Sequence, residues 1–343
     1  VPTAHTAFVD FFANGPVGVA TPISSVTEFE GIFGGLDERS EASYQIGQFF
    51  LNGGQSAYVV RVAPDIERAS ALIGALGVLD PKPNLLSIPA PQTLSVVQAA
   101  QAWCGIHGCF YLVDLPDNPA SPALMASWLA ANSTLNSPGA ALAWPRILIA
   151  DPLNENLPRE SASSGTIAGI YAANDAARGV WDAPAGLHAP LACAGLAYTM
   201  TDAENAMLTQ RGINAIRRFP THGIVLWGAR TLSPDTLYVP VKRTELFIES
   251  SLVAGLQWTV FEPNNETLWS QVGFSVEAFL NGLWREGALL GSTERDAYFV
   301  RCDATTMTQQ QIDAGELVCL VGVALVRPAE FVLIRIGAMA GPE

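Results

Sequence analysis

Cys104, His107 and Cys109 fall within six residues of one another, a spacing at which two thiolates and an imidazole could share a metal ion. A structural zinc site needs four ligands in a tetrahedral array, and no second pair at suitable spacing follows. The three residues therefore read as a helix end, its cap region and the start of a strand. His188 and His222 are further candidate bases, with Asp175, Asp182 and Asp202 near them in sequence and Ser163 and Ser164 just before Gly165. These are the residue types of a hydrolytic triad. No Gly-x-Ser-x-Gly elbow, Walker A lysine loop or His-Glu-x-x-His motif accompanies them. Residues 31–35 do not form a dinucleotide fingerprint either, because no strand feeds them and no long helix opens from them. The expectation is no catalytic residue, no metal and no cofactor. A soluble α/β enzyme with an unidentified small-molecule substrate remains the alternative reading, and a concave pocket gathering a few polar groups would favour it.

The elements that would position these residues alternate along the chain. Residues 6–12 read as a strand closed by Asn14-Gly15-Pro16. Thr27, with Glu28 and Glu30 after it, predicts a helix N-cap, and Gly34-Gly35 its end. A second helix runs from Glu41 to Asn52-Gly53-Gly54, and the β-branched run 58–62 follows as a strand. Strands at 85–88, 109–114 and 146–150 then alternate with helices at 95–103 and 123–131. The continuous apolar run Phe110-Tyr111-Leu112-Val113 fits a sheet covered on both faces. The polar, Pro-containing stretch 151–164 reads as a mobile surface excursion. In 266–286, Leu268, Val272, Val276, Phe279 and Leu283 form one apolar stripe of a long amphipathic helix capped by Gly287. Strands at 298–301 and 317–326 precede a terminal apolar strand, 331–336, which needs a partner to satisfy its backbone.

Composition bounds what such a chain can do. Its 343 residues exceed one small core and predict two or three packed units. With 49% hydrophobic and only 15% charged residues, much of the surface must be apolar or neutral, as suits a subunit held against neighbours. A net charge of −14 argues against general nucleic-acid binding. The charge is uneven, however. Arg211, Arg217, Arg218, Arg230, Lys242 and Arg243 lie in a stretch whose only acid is Asp235, either as solvated arginines or as a contact for acidic surface on another copy. Five scattered cysteines read as reduced thiols of a chain assembled in a cytoplasm. No apolar run reaches the roughly 18–20 residues of a membrane span, and residues 1–10 lack a basic signal-peptide start, which predicts no membrane insertion and no export address. Trp227, Trp258, Trp269 and Trp284 crowd the C-terminal third, as core or as contact residues.

The block Arg218-Phe219-Pro220-Thr221-His222-Gly223-Ile224-Val225-Leu226-Trp227-Gly228-Ala229-Arg230-Thr231-Leu232, followed by Tyr238-Val239-Pro240-Val241-Lys242-Arg243, resembles the signature of contractile tail sheath proteins. Trp258-Thr259-Val260-Phe261-Glu262-Pro263-Asn264, Ala297-Tyr298-Phe299-Val300-Arg301-Cys302-Asp303 and the stretch from Arg327 to Ile336 continue it, as do Gly165 to Asp175 and Arg178 to Gly186. Asp182 departs from the pattern, which has a basic residue there. The resemblance implies an α/β (α+β overall) multi-domain sheath fold: an N-terminal strand segment 1–26, an α/β body 27–215 and a helix-rich C-terminal domain 216–343 ending in an arm strand. It also implies a structural subunit of a phage tail or extracellular contractile injection system. Subunits would stack as hexameric rings around an inner tube protein, bounded by baseplate and terminal cap proteins, and contract to drive the tube through a target envelope. Phe331, Val332, Leu333, Ile334, Arg335 and Ile336 would form the arm strand. Arg217, Arg218, Arg230, Lys242, Arg243, Glu245 and Glu249 are the expected subunit or tube contacts. Family members usually begin with a further arm before the strand at 6–12. A chain truly without it is expected to remain a monomer.

Overall fold

The computed structural model describes residues 1–63, 66–91 and 93–330. The expected arm strand, Phe331 to Ile336, lies outside the described residues.

Thirteen strands are present among the described residues: β1 (Thr6–Asp10), β2 (Thr21–Ile23), β3 (Ala57–Arg61), β4 (Leu85–Ser87), β5 (Phe110–Val113), β6 (Ala140–Trp144), β7 (Ile147–Asp151), β8 (Leu157–Ser161), β9 (Gly195–Leu196), β10 (Ile213–Phe219), β11 (Gly223–Trp227), β12 (Tyr298–Arg301) and β13 (Leu320–Val323). The α-helices are α1 (Val26–Phe33), α2 (Glu41–Leu51), α3 (Arg68–Ala75), α4 (Leu94–His107), α5 (Pro122–Ala131), α6 (Ser164–Arg178), α7 (Asp202–Thr209), α8 (Val239–Gly255), α9 (Glu266–Arg285), α10 (Glu294–Ala297) and α11 (Gln309–Asp313).

Eight strands form one sheet in the order β11-β10-β6-β5-β4-β1-β3-β2. Its inner members are parallel, while β2 and β11 run antiparallel at the edges. Because side chains alternate across a strand, β1 sends Ala7 and Val9 to one face and Phe8 to the other. The first face is covered by α3, α4, α5 and α7 through Leu72, Val96, Val97, Met125 and Leu208, and the second by α1, α2 and α6 through Phe29, Phe33, Ile46, Phe49, Ile167 and Tyr171. A sheet buried on both faces explains the uninterrupted apolar strands.

Helices α2 and α6 touch backbone to backbone. A Cβ at Gly165 would stand 2.6 Å from the Gln45 carbonyl oxygen, and one at Gly169 would stand 2.5 Å from that of Phe49. Only glycine permits this approach. The Gln45 side chain, buried in the seam, donates to Ser161 Oγ and the Ala162 carbonyl and accepts from the Thr166 N–H, so burial leaves its amide satisfied.

Three local readings are corrected. The cap of α1 is Ser25, whose hydroxyl accepts from the Glu28 N–H, so the helix opens before Thr27. The stretch 151–164 is no loose excursion: β7 and β8 pair antiparallel over it, with Glu155 and Asn156 at positive φ in the turn. Along α9, Leu280 joins Leu268, Val272, Val276 and Leu283 in the buried stripe, whereas Phe279 is only partly covered. The sheet also relates to the expected units, since β1 lies inside it and β10 spans the boundary at 215/216.

Beyond α8 the architecture changes. Helix α9 buries its stripe against Ile248, Ala288, Leu289 and Ala297, and the β12–β13 pair covers one side through Tyr298, Val300, Val321 and Val323. Helix α8 belongs to both units: Val239 is in the core under the large sheet, and Ile248 is in the core around α9.

Candidate assembly surface

The residues that could have done chemistry are tied up structurally. His107 stacks on Trp103 and its Nδ1 lies 2.8 Å from the Trp103 carbonyl oxygen, one helical turn back. Cys104 and Cys109 are buried, with burial pushing the Cys104 thiol well up. Ser164 Oγ lies 2.7 Å from Ser87 Oγ, and the backbone N–H groups of Ser163 and Ser164 donate to buried Asp114. His188 Nε2 faces the Ala183 carbonyl, whereas His222 sits in the β10–β11 turn with Nδ1 2.8 Å from Thr221 Oγ1, so the two histidines have different partners. Among the described residues, no group of three or more His, Cys, Asp or Glu side chains could hold a metal ion, and no helix is long and apolar enough to cross a membrane.

The basic stretch separates into internal clamps and outward charges. Arg243 is 3% exposed and makes two bonds to Asp175, at 2.9 and 2.6 Å, while donating to the Thr3 carbonyl at 3.0 Å and lying over the Tyr171 ring. A fork this buried joins α8 to α6 and to the N-terminal segment, so Arg243 is not available to an external partner. Arg230 grips Glu330 with Nε at 2.7 Å and Nη2 at 2.5 Å, and its Nη1 donates to the Thr209 carbonyl. The Tyr238 hydroxyl donates to the same carboxylate at 3.3 Å. This clamp fixes the chain to the sheet's β11 end at the last described residue before the expected arm. Arg217 pairs with Asp202 at 2.6 Å, and Lys242 with Glu245 at 2.9 Å. Arg218 and Glu249 are exposed, as is Glu245 beyond its pair. Asp182, the sign departure, pairs with Arg178 at 3.0 Å.

Sequence reasoning missed Glu330 as the partner of Arg230, because a hundred residues separate them. It also placed Asp175 among possible catalytic acids, whereas the residue serves as the Arg243 counter-ion.

Two features of the C-terminal unit point outward. The first is the β12–β13 sheet, which among the described residues pairs with no further strand apart from a single bridge between Leu289 and Leu325. Two-stranded sheets are marginal by themselves, and unpaired edges recruit other strands. Phe299 and Leu320 stand exposed on its outer face. The second is an apolar set formed by Val253, Trp258, Val260, Phe261 and Phe274, all exposed. Phe261 is fully exposed and has φ +72°, a left-handed conformation that a bulky side chain adopts at a cost of order 1–3 kcal/mol. Trp269 and Trp284, in contrast, are buried or half-buried, with indole N–H groups donating to Asn264 Oδ1 and the Gly291 carbonyl.

Comparison with known proteins gives the family. A family model for the phage tail sheath C-terminal domain matches residues 231–338. A putative prophage major tail sheath protein of Pseudomonas aeruginosa (strain UCBPP-PA14) is 25% identical over 271 residues, covering 76% of this chain and 66% of that protein's length. Two cryo-EM structures are similar over nearly the whole chain at 30% identity. A chain of the anti-feeding prophage (AFP) baseplate, 6-fold symmetrised, has a TM-score of 0.82 over 99% of this chain and 94% of that one. A chain of an extracellular contractile injection system, the PVC sheath complex in its contracted state, has a TM-score of 0.81 over 98% and 92%. The mixed α/β fold is that of these proteins, and the chain belongs to the contractile tail sheath family.

Proposed function

We propose that this chain is the non-catalytic structural subunit of a contractile sheath, which polymerises as stacked hexameric rings around an inner tube protein and contracts to drive that tube through a target envelope. Baseplate and terminal cap proteins bound the cylinder, which assembles in a bacterial cytoplasm as part of a phage tail or a released injection particle. The observation that carries this reading is the exposed two-stranded β12–β13 sheet, in a unit that also exposes a set of large apolar side chains. Such an edge satisfies its backbone by accepting strands from other copies, and the sequence from Phe331 to Ile336 has an apolar composition suited to that role.

The proposed working division follows the contacts. The body under the large sheet gives rigidity, the unit around α9 gives the joining surface, and α8 couples them through Arg243–Asp175. Arg218, Glu245 and Glu249 are the exposed candidates for charged contacts with a neighbour or the tube, and Arg217 and Lys242 contribute through their pairs. Arg230 acts one step back, by anchoring the base of the arm through Glu330. Energy for contraction would reside in a metastable extended lattice.

Negative-stain electron microscopy of the chain, expressed with its native N-terminus alone and with its cognate tube protein, tests the proposal. Striated cylinders are expected. A sample that stays monomeric under both conditions contradicts it.

A further inference from the structure

Two of the five cysteines face each other across the β12–β13 sheet. The ladder runs from Tyr298 opposite Val323 to Arg301 opposite Leu320, and one further step sets Cys302 opposite Cys319. The hydrogen bond from the Ala324 N–H to the Ala297 carbonyl makes Ala297–Ala324 a hydrogen-bonded pair. Because bonded and non-bonded pairs alternate in an antiparallel ladder, the Cys302–Cys319 pair is of the non-hydrogen-bonded kind. In such pairs the Cα atoms stand about 4.5 Å apart, within the range of about 4.4–6.8 Å that a disulfide spans.

The surroundings leave room for the bond. Both side chains pack half-buried against the α9 core, and a Cβ placed at Gly273 would reach only the Cys302 Cβ, at 4.0 Å. Burial raises both thiols, that of Cys302 to about 12, and each thiol also perturbs the other. At Cys319 the contact with Cys302 offsets part of the rise that burial causes. Cys104 and Cys109 are also neighbours, but both are buried in the body core beyond the reach of an oxidant, and Cys193 bonds the Gly195 carbonyl elsewhere.

We propose that Cys302 and Cys319 form an oxidative modification site, closing to a cross-strand disulfide by exchange with an external low-molecular-mass disulfide. One of the two cysteines, as its thiolate, attacks one sulfur of that disulfide, its S–S bond breaks, and one small thiol leaves with a proton. The other cysteine then loses its proton, attacks the sulfur of the first and expels the second small thiol. The protein gives up two hydrogens, and the external disulfide is reduced to two thiols. The new bond closes residues 303–318 into a ring and fixes the open end of the sheet. Resting on the sheath reading, this staple would form after a particle leaves a reducing cytoplasm and would lock the strand-accepting sheet.

The test is incubation of the reduced full chain with oxidised glutathione, alkylation of remaining thiols, intact mass and non-reducing peptide mapping. The expected result is loss of two hydrogens and one linked peptide joining Cys302 to Cys319, formed faster at higher pH. Cys302→Ser should leave Cys319 as a glutathione adduct, and Cys319→Ala should abolish the link. Alkylation of both cysteines at the level of untreated protein overturns the proposal, as does a link from either to another cysteine or to a second copy. Because the isolated chain suffices, this failure leaves the sheath reading standing, and absence of cylinders leaves the disulfide standing.

Discussion

The large sheet and the two-stranded sheet are built by opposite rules. In the first, β1 is flanked on both edges and covered on both faces, so Ala7, Phe8 and Val9 see no solvent. In the second, β12 and β13 cover α9 with one face and expose Phe299 and Leu320 on the other. The body covers both faces of its large sheet and ends it at the edge strands β2 and β11, whereas the C-terminal unit, among the described residues, leaves one face of a two-stranded sheet and a set of apolar side chains exposed. The proposed function thus places stability in the first part and assembly in the second.

The sharpest way to break this contrast is to cut into each core. Phe49→Ala, which removes a fully buried ring packed on Phe8, should destabilise the chain by about 3–5 kcal/mol in urea denaturation. Arg243→Ala leaves Asp175 buried without its counter-ion, and a loss of about 3–5 kcal/mol is expected by the same measurement. Arg230→Ala should cost less, about 1.5–3 kcal/mol, since its carboxylate partner retains some solvent; faster proteolysis after residue 320 would show the released arm base.

Asp114 sharpens the account of the body through pH. Burial pushes its carboxyl up to about 6, against the bonds from Ser163 and Ser164 that favour the charged form. Its folded value lies above its unfolded value, so the folded state is favoured at acidic pH. That contribution is complete below about 4 and is lost as pH rises through about 6. The stability difference between wild type and Asp114→Asn should therefore shift in favour of the variant by roughly 1–3 kcal/mol between about pH 4 and 7, read as urea midpoints at each pH. A pH-independent difference would contradict the assignment. The smallest expected effect on the single chain is Phe261→Ser, within about 0.5 kcal/mol, because its ring touches only solvent. The same variant should reduce the yield of cylinders, and unchanged yield would remove Phe261 from the joining surface.

What the sequence disclosed follows the same division. Apolar runs such as Phe110 to Val113 and the α9 stripe were legible because a covered strand and an amphipathic helix impose their own periods. Strand β6 was passed over because Ala140-Ala141-Leu142-Ala143-Trp144 is alanine-rich and alanine is poor in strands; only its neighbours β5 and β10 enforce extension. Strand β8 was read as loop because Pro158, Arg159 and Glu160 give an edge strand polar chemistry. The family blocks did not show which arginines point inward. Arg243 and Arg230 find their acids 68 and 100 residues away, contacts that no local pattern encodes. The Cys302–Cys319 pairing likewise depends on strand register.

The central claim is that the β12–β13 sheet is completed by strands from other copies. Cryo-EM of the polymer grown with its tube protein tests it most directly. The account predicts an extended segment of a neighbouring subunit hydrogen-bonded along the edge of β12 or β13. A well-ordered cylinder in which both edges of this sheet face solvent would contradict it.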